Sequence, residues 1–207
     1  LELGGHAPVL VFDDAELDTA VEGALAAKMR NTGQSCIAAN RLLVQRGIYD
    51  RFIDALIERV KALAVGDGSD EATEIGPLID QPALDNAVAH IDEATERGAK
   101  LLCGGGRIDR PGFFLQPTVL ADVPEDARCM TDETLAPVLP VVPFDDEQAA
   151  IAQANRTVYG LSAYAFTRDI SRCWRLAEQL EAGTIGINDG VPSTSNCPFG
   201  GVKQSGW

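Results

Sequence analysis

No run of apolar residues in this sequence approaches the ~20 that a membrane-spanning helix needs. No basic segment leads into an apolar one, so no secretory signal is visible. Positive charge is also scarce: 17 Lys and Arg stand against 31 Asp and Glu, for a net charge of −14. Such a surface repels phosphate backbones, which argues against a nucleic-acid partner. The acidic residues are scattered along helix faces and loops and solvate the surface rather than forming a tail. There is no CxxC pair. The five cysteines, Cys36, Cys103, Cys129, Cys173 and Cys197, are odd in number and spaced 67, 26, 44 and 24 residues apart. Neither His6 nor His90 stands at a metal-ligand spacing from any of them, so a zinc site and a disulfide framework are both disfavoured. Free thiols in a reducing compartment, the cytoplasm, fit better. Internal repeats and low-complexity tracts are absent. The first residue is Leu rather than Met, so the true N-terminus is expected upstream.

What is present is the composition of an ordinary globular protein, 45% hydrophobic and 23% charged over 207 residues. Short apolar runs alternate with helical periodicity. Residues 8–12, PVLVF, read as a buried strand. Asp13 and Asp14 offer N-cap oxygens to a helix over about 15–30, with Leu17, Val21, Ala24, Leu25 and Lys28 on one mostly apolar face. RLLVQ (41–45) is a strand, and 49–64 a helix with Phe52, Leu56, Val60 and Leu63 in one stripe. A looser Gly- and Asp-rich stretch precedes a helix over about 82–97, closed by Gly98. AKLLCG reads as a strand, FFLQPTVLADV as extended, and VLPVVPF (138–144) as a strand before a helix over 145–155. LSAYAFT (161–167) is a strand, 169–182 a helix ended by Gly183, and TIGIN (184–188) the last strand. Strands separated by helices predict one α/β domain, with a mostly parallel sheet and helices on both faces.

Two positions carry chemistry. Cys36, in NTGQSC, follows a glycine that lets the backbone approach a ligand closely, in a short helix-to-strand connection that can face a cleft. A thiolate there would be a nucleophile. The competing reading is a small buried thiol, inert in the core. Glu2, in LELGGHAP, precedes Gly4-Gly5 and a strand. It is either a general base at the mouth of a sheet or an exposed acid near a chain end.

LELGGHAPVLVF, RNTGQSC, DETLAPVLPV, YGLSAYAFT and PFGGVKQSG resemble five signatures of the aldehyde dehydrogenase superfamily, in its order and at about its spacing. Through FDDAELDTAVEGALAAKMRNTGQSC and ANRLLVQRGIYDRF the chain most resembles succinate-semialdehyde dehydrogenases. The resemblance implies an NAD- or NADP-dependent enzyme and an aldehyde substrate. Cys36 would attack the aldehyde carbon, and its backbone N–H would serve the oxyanion hole. Glu2 would activate the water that hydrolyses the thioester. Relatives that pass the acyl group to coenzyme A lack this glutamate. Glu133 would hold the cofactor's ribose. Phe199 would line the aldehyde pocket, and Arg30 and Ser193 would bind the distal carboxylate of a semialdehyde, a task suited to a guanidinium fork. Read from the residues alone, Arg30 is equally a cation at a helix C-terminus, and Ser193 a loop hydroxyl in water.

The sequence departs from the family pattern in places. Leu135 and Ala136 stand where Phe-Gly is usual. Leu135, expected against the nicotinamide, keeps an apolar surface but loses the ring. Ala38 replaces a thiol that some relatives carry two residues after the nucleophile. No GxGxxG is present, and GGG (104–106) follows a strand but opens no helix. The resemblance therefore implies a catalytic domain (1–207). The family's N-terminal cofactor-binding domain and its C-terminal oligomerisation segment would lie outside these residues, and the parent enzyme would be a homo-oligomer. Two functions stand side by side: an aldehyde dehydrogenase of succinate, glutarate or another semialdehyde, and, for these 207 residues alone, a folded module without dehydrogenase activity.

Overall fold

In the computed structural model, which describes residues 3–206, the alternating apolar runs pair into one seven-stranded sheet. Its strands are β1 (Ala7–Val11), β2 (Ala39–Gln45), β3 (Lys100–Cys103), β4 (Thr118–Ala121), β5 (Val138–Phe144), β6 (Ser162–Phe166) and β7 (Thr184–Ile187). They lie in the order β3-β4-β5-β2-β1-β6-β7. Every pairing is parallel except that of β3 with β4. The helices are α1 (Leu17–Met29), α2 (Tyr49–Ala62), α3 (Gln81–Glu96), α4 (Arg128–Thr131), α5 (Glu147–Asn155) and α6 (Ile170–Gln179). This is the mostly parallel α/β architecture that the pattern predicts.

Side chains alternate between two cores, because successive strand residues face opposite ways. Val9, Leu42 and Val141 pack on one side with Val21 of α1 and Phe52 and Leu56 of α2. Leu10, Leu43 and Val142 pack on the other with Leu84 of α3, Ile151 of α5 and Leu176 of α6. With both faces covered, β1 is buried at every position, which is why it reads as a continuous apolar run. Each such side chain removed from water contributes about 1.5–3 kcal/mol.

Several local expectations are corrected. The α1 cap is Glu16, whose carboxylate accepts from the N–H groups of Asp18 and Thr19. Asp14 instead accepts from Thr167 Oγ1, the Arg168 N–H and Arg172, tying the start of α1 to α6. Helix α6 stops at Gln179, and Gly183 does not cap it. Gly183 lies where the chain passes Gly200, whose carbonyl oxygen a Cβ would meet at 1.9 Å. Helix α4 had no periodic signal at four residues, whereas the extended stretch FFLQPTVLADV supplies β4 through its Thr118–Ala121. Gly98 does close α3: at φ +103° its N–H reaches the Thr95 carbonyl, and the Ala99 N–H reaches that of Ala94.

The central strands β5, β2, β1 and β6 are neighbours and run the same way, so the segments entering them share one edge of the sheet. Those segments contain Glu133 to Leu135, Cys36, Gly4-Gly5 and Tyr159-Gly160. The segment after β7 turns back along α1: a Cβ on Gly190 would stand 2.2 Å from the Gly23 carbonyl oxygen.

Candidate active site

Cys36 sits on a turn held open by strained backbone. After α1 the chain makes a 3-10 turn over Arg30–Gly33, in which Asn31 (φ 52°, ψ 39°) and Thr32 (φ 58°, ψ 28°) are both left-handed. A β-branched residue there costs about 1–3 kcal/mol and persists only where its surroundings impose it. The surroundings are polar ties to residues 76–79. The Gly76 N–H donates to Thr32 Oγ1 at 3.1 Å, and the Ile79 N–H donates to Gln34 Oε1 at 2.8 Å. Gln34 Nε2 donates to the Pro77 carbonyl, and Asn31 Nδ2 to the Gln34 carbonyl. Gly33, at φ +76°, lies against the Ala136 carbonyl, 2.4 Å from where a Cβ would be. Each residue of NTGQ thus shapes the turn that presents Cys36.

Cys36 is half-buried and lines a cleft of about 380 Å3. Arg30, Ser193 and Phe199 line the same cleft, as do Asn31 and Gln34. The side chain of Phe199 is exposed. Leu135, also exposed, lies outside this cleft. It lines a second cleft of about 550 Å3 with Pro77, Leu78, Ile79 and Ala83, on the other side of Asn31 and Gln34, which border both.

Glu133 lines neither cleft; its Oε1 accepts the Gly5 N–H at 3.1 Å. Its Oε2 stands 3.0 Å from where a Gly4 Cβ would project, with the Tyr159 ring at 3.1 Å. Glu2 itself lies outside the described residues. The backbone just after it is fixed from three sides. Gly5 abuts the Cys36 carbonyl, 2.1 Å from its would-be Cβ. Glu133 holds the Gly5 N–H. Ser205 donates to the Gly4 carbonyl at 2.6 Å and accepts the Gly160 N–H at 3.1 Å.

The described parts of the quoted motifs therefore converge physically, since Gly4-Gly5, NTGQSC, DET, YG and KQSG meet around one stretch of backbone. Ser205, Tyr159 and Tyr164, whose hydroxyl donates to the Ile37 carbonyl at 2.6 Å beside Cys36, were not singled out from sequence. Their signal lay only in membership of those motifs. Lys28 had a visible signal, a charge on an apolar face, and it is completely buried.

One cleft thus brings a thiol together with a guanidinium and a hydroxyl. The aldehyde dehydrogenase family profile matches residues 1–207, and the chain belongs to that family. It is 53% identical over 206 residues to the NADP+ succinate-semialdehyde dehydrogenase GabD of Escherichia coli, covering 100% of this chain and 43% of that protein. It is 50% identical over 206 residues to a glutarate-semialdehyde dehydrogenase of Pseudomonas aeruginosa, again covering 100% and 43%. A crystal structure of an NADP-dependent enzyme of E. coli superposes with a TM-score of 0.98 at 53% identity, over 100% of this chain and 43% of that one. E. coli lactaldehyde dehydrogenase gives 0.97 at 36% identity, over 100% and 44%. The chain thus spans well under half the length of these relatives.

Proposed function

We propose that these residues are the catalytic domain of an aldehyde dehydrogenase that oxidises a short semialdehyde, with succinate semialdehyde favoured over glutarate semialdehyde. The observation that carries this reading is the single cleft shared by Cys36, Arg30, Ser193 and Phe199. Arg30 and Ser193 hold the distal carboxylate, which sets the aldehyde carbon against the Cys36 thiolate. Attack gives a thiohemiacetal whose oxyanion is met by the Cys36 N–H. A nicotinamide cofactor, when bound, accepts the hydride. The thioester left on Cys36 is then hydrolysed by water that Glu2 deprotonates, releasing the acid.

Two observations suit such a cofactor. Glu133 is held by the Gly5 N–H, and a carboxylate so placed suits a ribose hydroxyl. Leu135 and Ile79 line one cleft, giving an apolar wall that fits an aromatic ring. Relatives named for NADP+ keep both NAD and NADP in view. Among the described residues no helix is long and apolar enough to cross a membrane. A cytoplasmic homo-oligomer remains the reading for the parent enzyme, although some similar proteins are mitochondrial. By themselves the 207 residues lack dehydrogenase activity in this reading, because hydride transfer needs a positioned cofactor.

The test is Arg30→Ala in the whole protein, with any flanking sequence retained. KM for succinate semialdehyde rises at least about tenfold, since one charge-assisted hydrogen bond is lost, while KM for acetaldehyde stays level. An equal effect on both substrates refutes the role of Arg30, and activity retained by Cys36→Ser refutes the mechanism.

A further inference from the structure

The loop that brings Ser193 to the cleft runs on a fixed course. It leaves β7 at Asn188, a left-handed residue (φ 53°). Asn188 Oδ1 accepts the Thr167 N–H at 3.0 Å, and Asn188 Nδ2 donates to the Thr167 carbonyl at 2.9 Å. Two residues on, Gly190 lies against the backbone of α1. A Cβ on Gly190 would stand 2.2 Å from the Gly23 carbonyl oxygen, 2.9 Å from its carbon and 3.0 Å from the Gly23 Cα. Gly190 is not left-handed, so the crossing, and not its own conformation, leaves no room for a side chain. Beyond it the Val191 N–H donates to Asp189 Oδ1 at 2.8 Å. Pro192 then packs over Gly186, its Cγ 3.2 Å from where a Cβ there would project.

From the crossing the loop follows α1. Val191 lines a cleft of about 510 Å3 with Leu25, Ala26 and Met29 of α1 and with Arg30 just after it. Ser193 lines the Cys36 cleft, again with Arg30. The two reaches match. Seven residues of helix, from Gly23 to Arg30, rise about 10 Å and return to nearly the same face. Three residues of loop, from Gly190 to Ser193, span at most about 10 Å when extended. Ser193 therefore comes level with Arg30 with little slack to spare. Helix α1 is fixed at the same point, because a Cβ on Gly23 would stand 2.3 Å from Cζ of the buried Phe166 ring in β6.

We infer that Gly190 is a positioning residue that sets substrate length: its contact with Gly23 holds Ser193 close to Arg30, and so sizes the carboxylate end of the cleft for the shorter of two semialdehydes that differ by one methylene. The inference rests on the reading of Arg30 and Ser193 as carboxylate ligands. It assigns the choice between the two substrates to a backbone crossing two helical turns away from the side chains that touch them. It also gives a direction. The Gly23 main chain cannot move aside, so the smallest added side chain lifts the loop from α1 and Ser193 from Arg30. The shorter substrate then no longer bridges both groups, whereas the longer one does.

The experiment measures kcat and KM for succinate and glutarate semialdehydes in the whole protein, with any flanking sequence retained. Arg30→Ala comes first. If it leaves KM for both semialdehydes unchanged, the reading of the cleft falls and this inference falls with it. If it raises KM, Gly190→Ala decides. The expected result is a succinate-to-glutarate ratio of kcat/KM lowered roughly tenfold, the lower end of the roughly 10–200-fold that one methylene is worth in a pocket. A purely structural glycine would lower both substrates together and leave that ratio level. A ratio that stays level or rises in a folded, active Gly190→Ala protein overturns the inference and leaves the role of Arg30 standing. If Gly190→Ala does not fold or does not turn over, Asp189→Ala decides instead. Asp189 is exposed, and its removal frees the Val191 N–H and loosens the loop beyond the crossing. The ratio then falls by roughly two- to tenfold, the worth of one ordinary hydrogen bond, whereas a level ratio overturns the inference.

Discussion

Gly5 and Cys36 are in backbone contact: a Cβ built on Gly5 would stand 2.1 Å from the Cys36 carbonyl oxygen and 3.3 Å from its carbon. Both neighbours are main chain, so nothing flexible can yield. Gly5→Ala therefore displaces the turn that carries Cys36. Overpacking of this kind costs about 1–3 kcal/mol. Activity of the whole protein falls more than stability does, by about 100-fold, since ~1 Å of misplacement has that effect. Denaturant unfolding and turnover of the one variant check both. An active Gly5→Ala enzyme shows that the contact does not position Cys36.

Ser205 links three segments that are remote in sequence, and one atom does it. Its Oγ is donor to Gly4 and acceptor from Gly160. Ser205→Ala strands a buried carbonyl and a buried N–H, each at about 1–3 kcal/mol. The melting temperature drops, and turnover drops with it because Gly4 lies two residues after Glu2, the base of the proposed mechanism. Ser205→Ala with unchanged turnover separates this hydroxyl from catalysis.

Loss of stability on acidification comes in part from two buried imidazoles. Burial holds His6 near 3 and His90 near 4 in the fold, against 6.5 for a free side chain. The unfolded chain takes up these protons as pH falls below 6.5, and the folded chain does not. Each histidine's contribution is thus fully present above pH 6.5 and is lost as pH falls toward its folded value. Linkage puts the loss at roughly 3–5 kcal/mol per group. Unfolding free energies at pH 7.5 and 4.5 compare wild type with His90→Asn. The variant has a shallower decline between the two, and an equal decline rules out His90.

The cysteines differ in what surrounds them, and thiol modification reads the difference. Cys197 is exposed and Cys36 lines an open cleft, whereas Cys129 is fully buried and its thiol is pushed up to about 12. Modification needs the thiolate and access. Native protein treated with iodoacetamide carries label at Cys197 and Cys36, with Cys129 labelled only after unfolding. Mass spectrometry of the peptides checks this, and early label at Cys129 contradicts the packing of α4.

How much was legible differs by element. Helices α2 and α3 were readable because their apolar residues recur at helical spacing, and Gly98 because only a left-handed turn ends α3 there. The α1 cap was misread. Asp13, Asp14 and Glu16 are all competent oxygens, and only the approach of Thr167, Arg168 and Arg172 removes Asp14 from the contest. Helix α4 is too short for any period to appear. In the site, Cys36, Arg30 and Ser193 were named from motifs, but their common cleft depends on the chain after β7 turning back along α1.

The sequence by itself determined most of the elements, the mostly parallel sheet and the identity of the chemically able residues, because periodicity, turn residues and motif spacing are local properties. The tertiary structure alone decided which of them meet. Thr32 takes a left-handed conformation because Gly76 holds its hydroxyl. Gly4 is fixed by a serine 201 residues away. Lys28 stays buried because a bulge turns Asn40 toward it. Each depends on a partner supplied by the fold at long range, and no local pattern encodes such a partner.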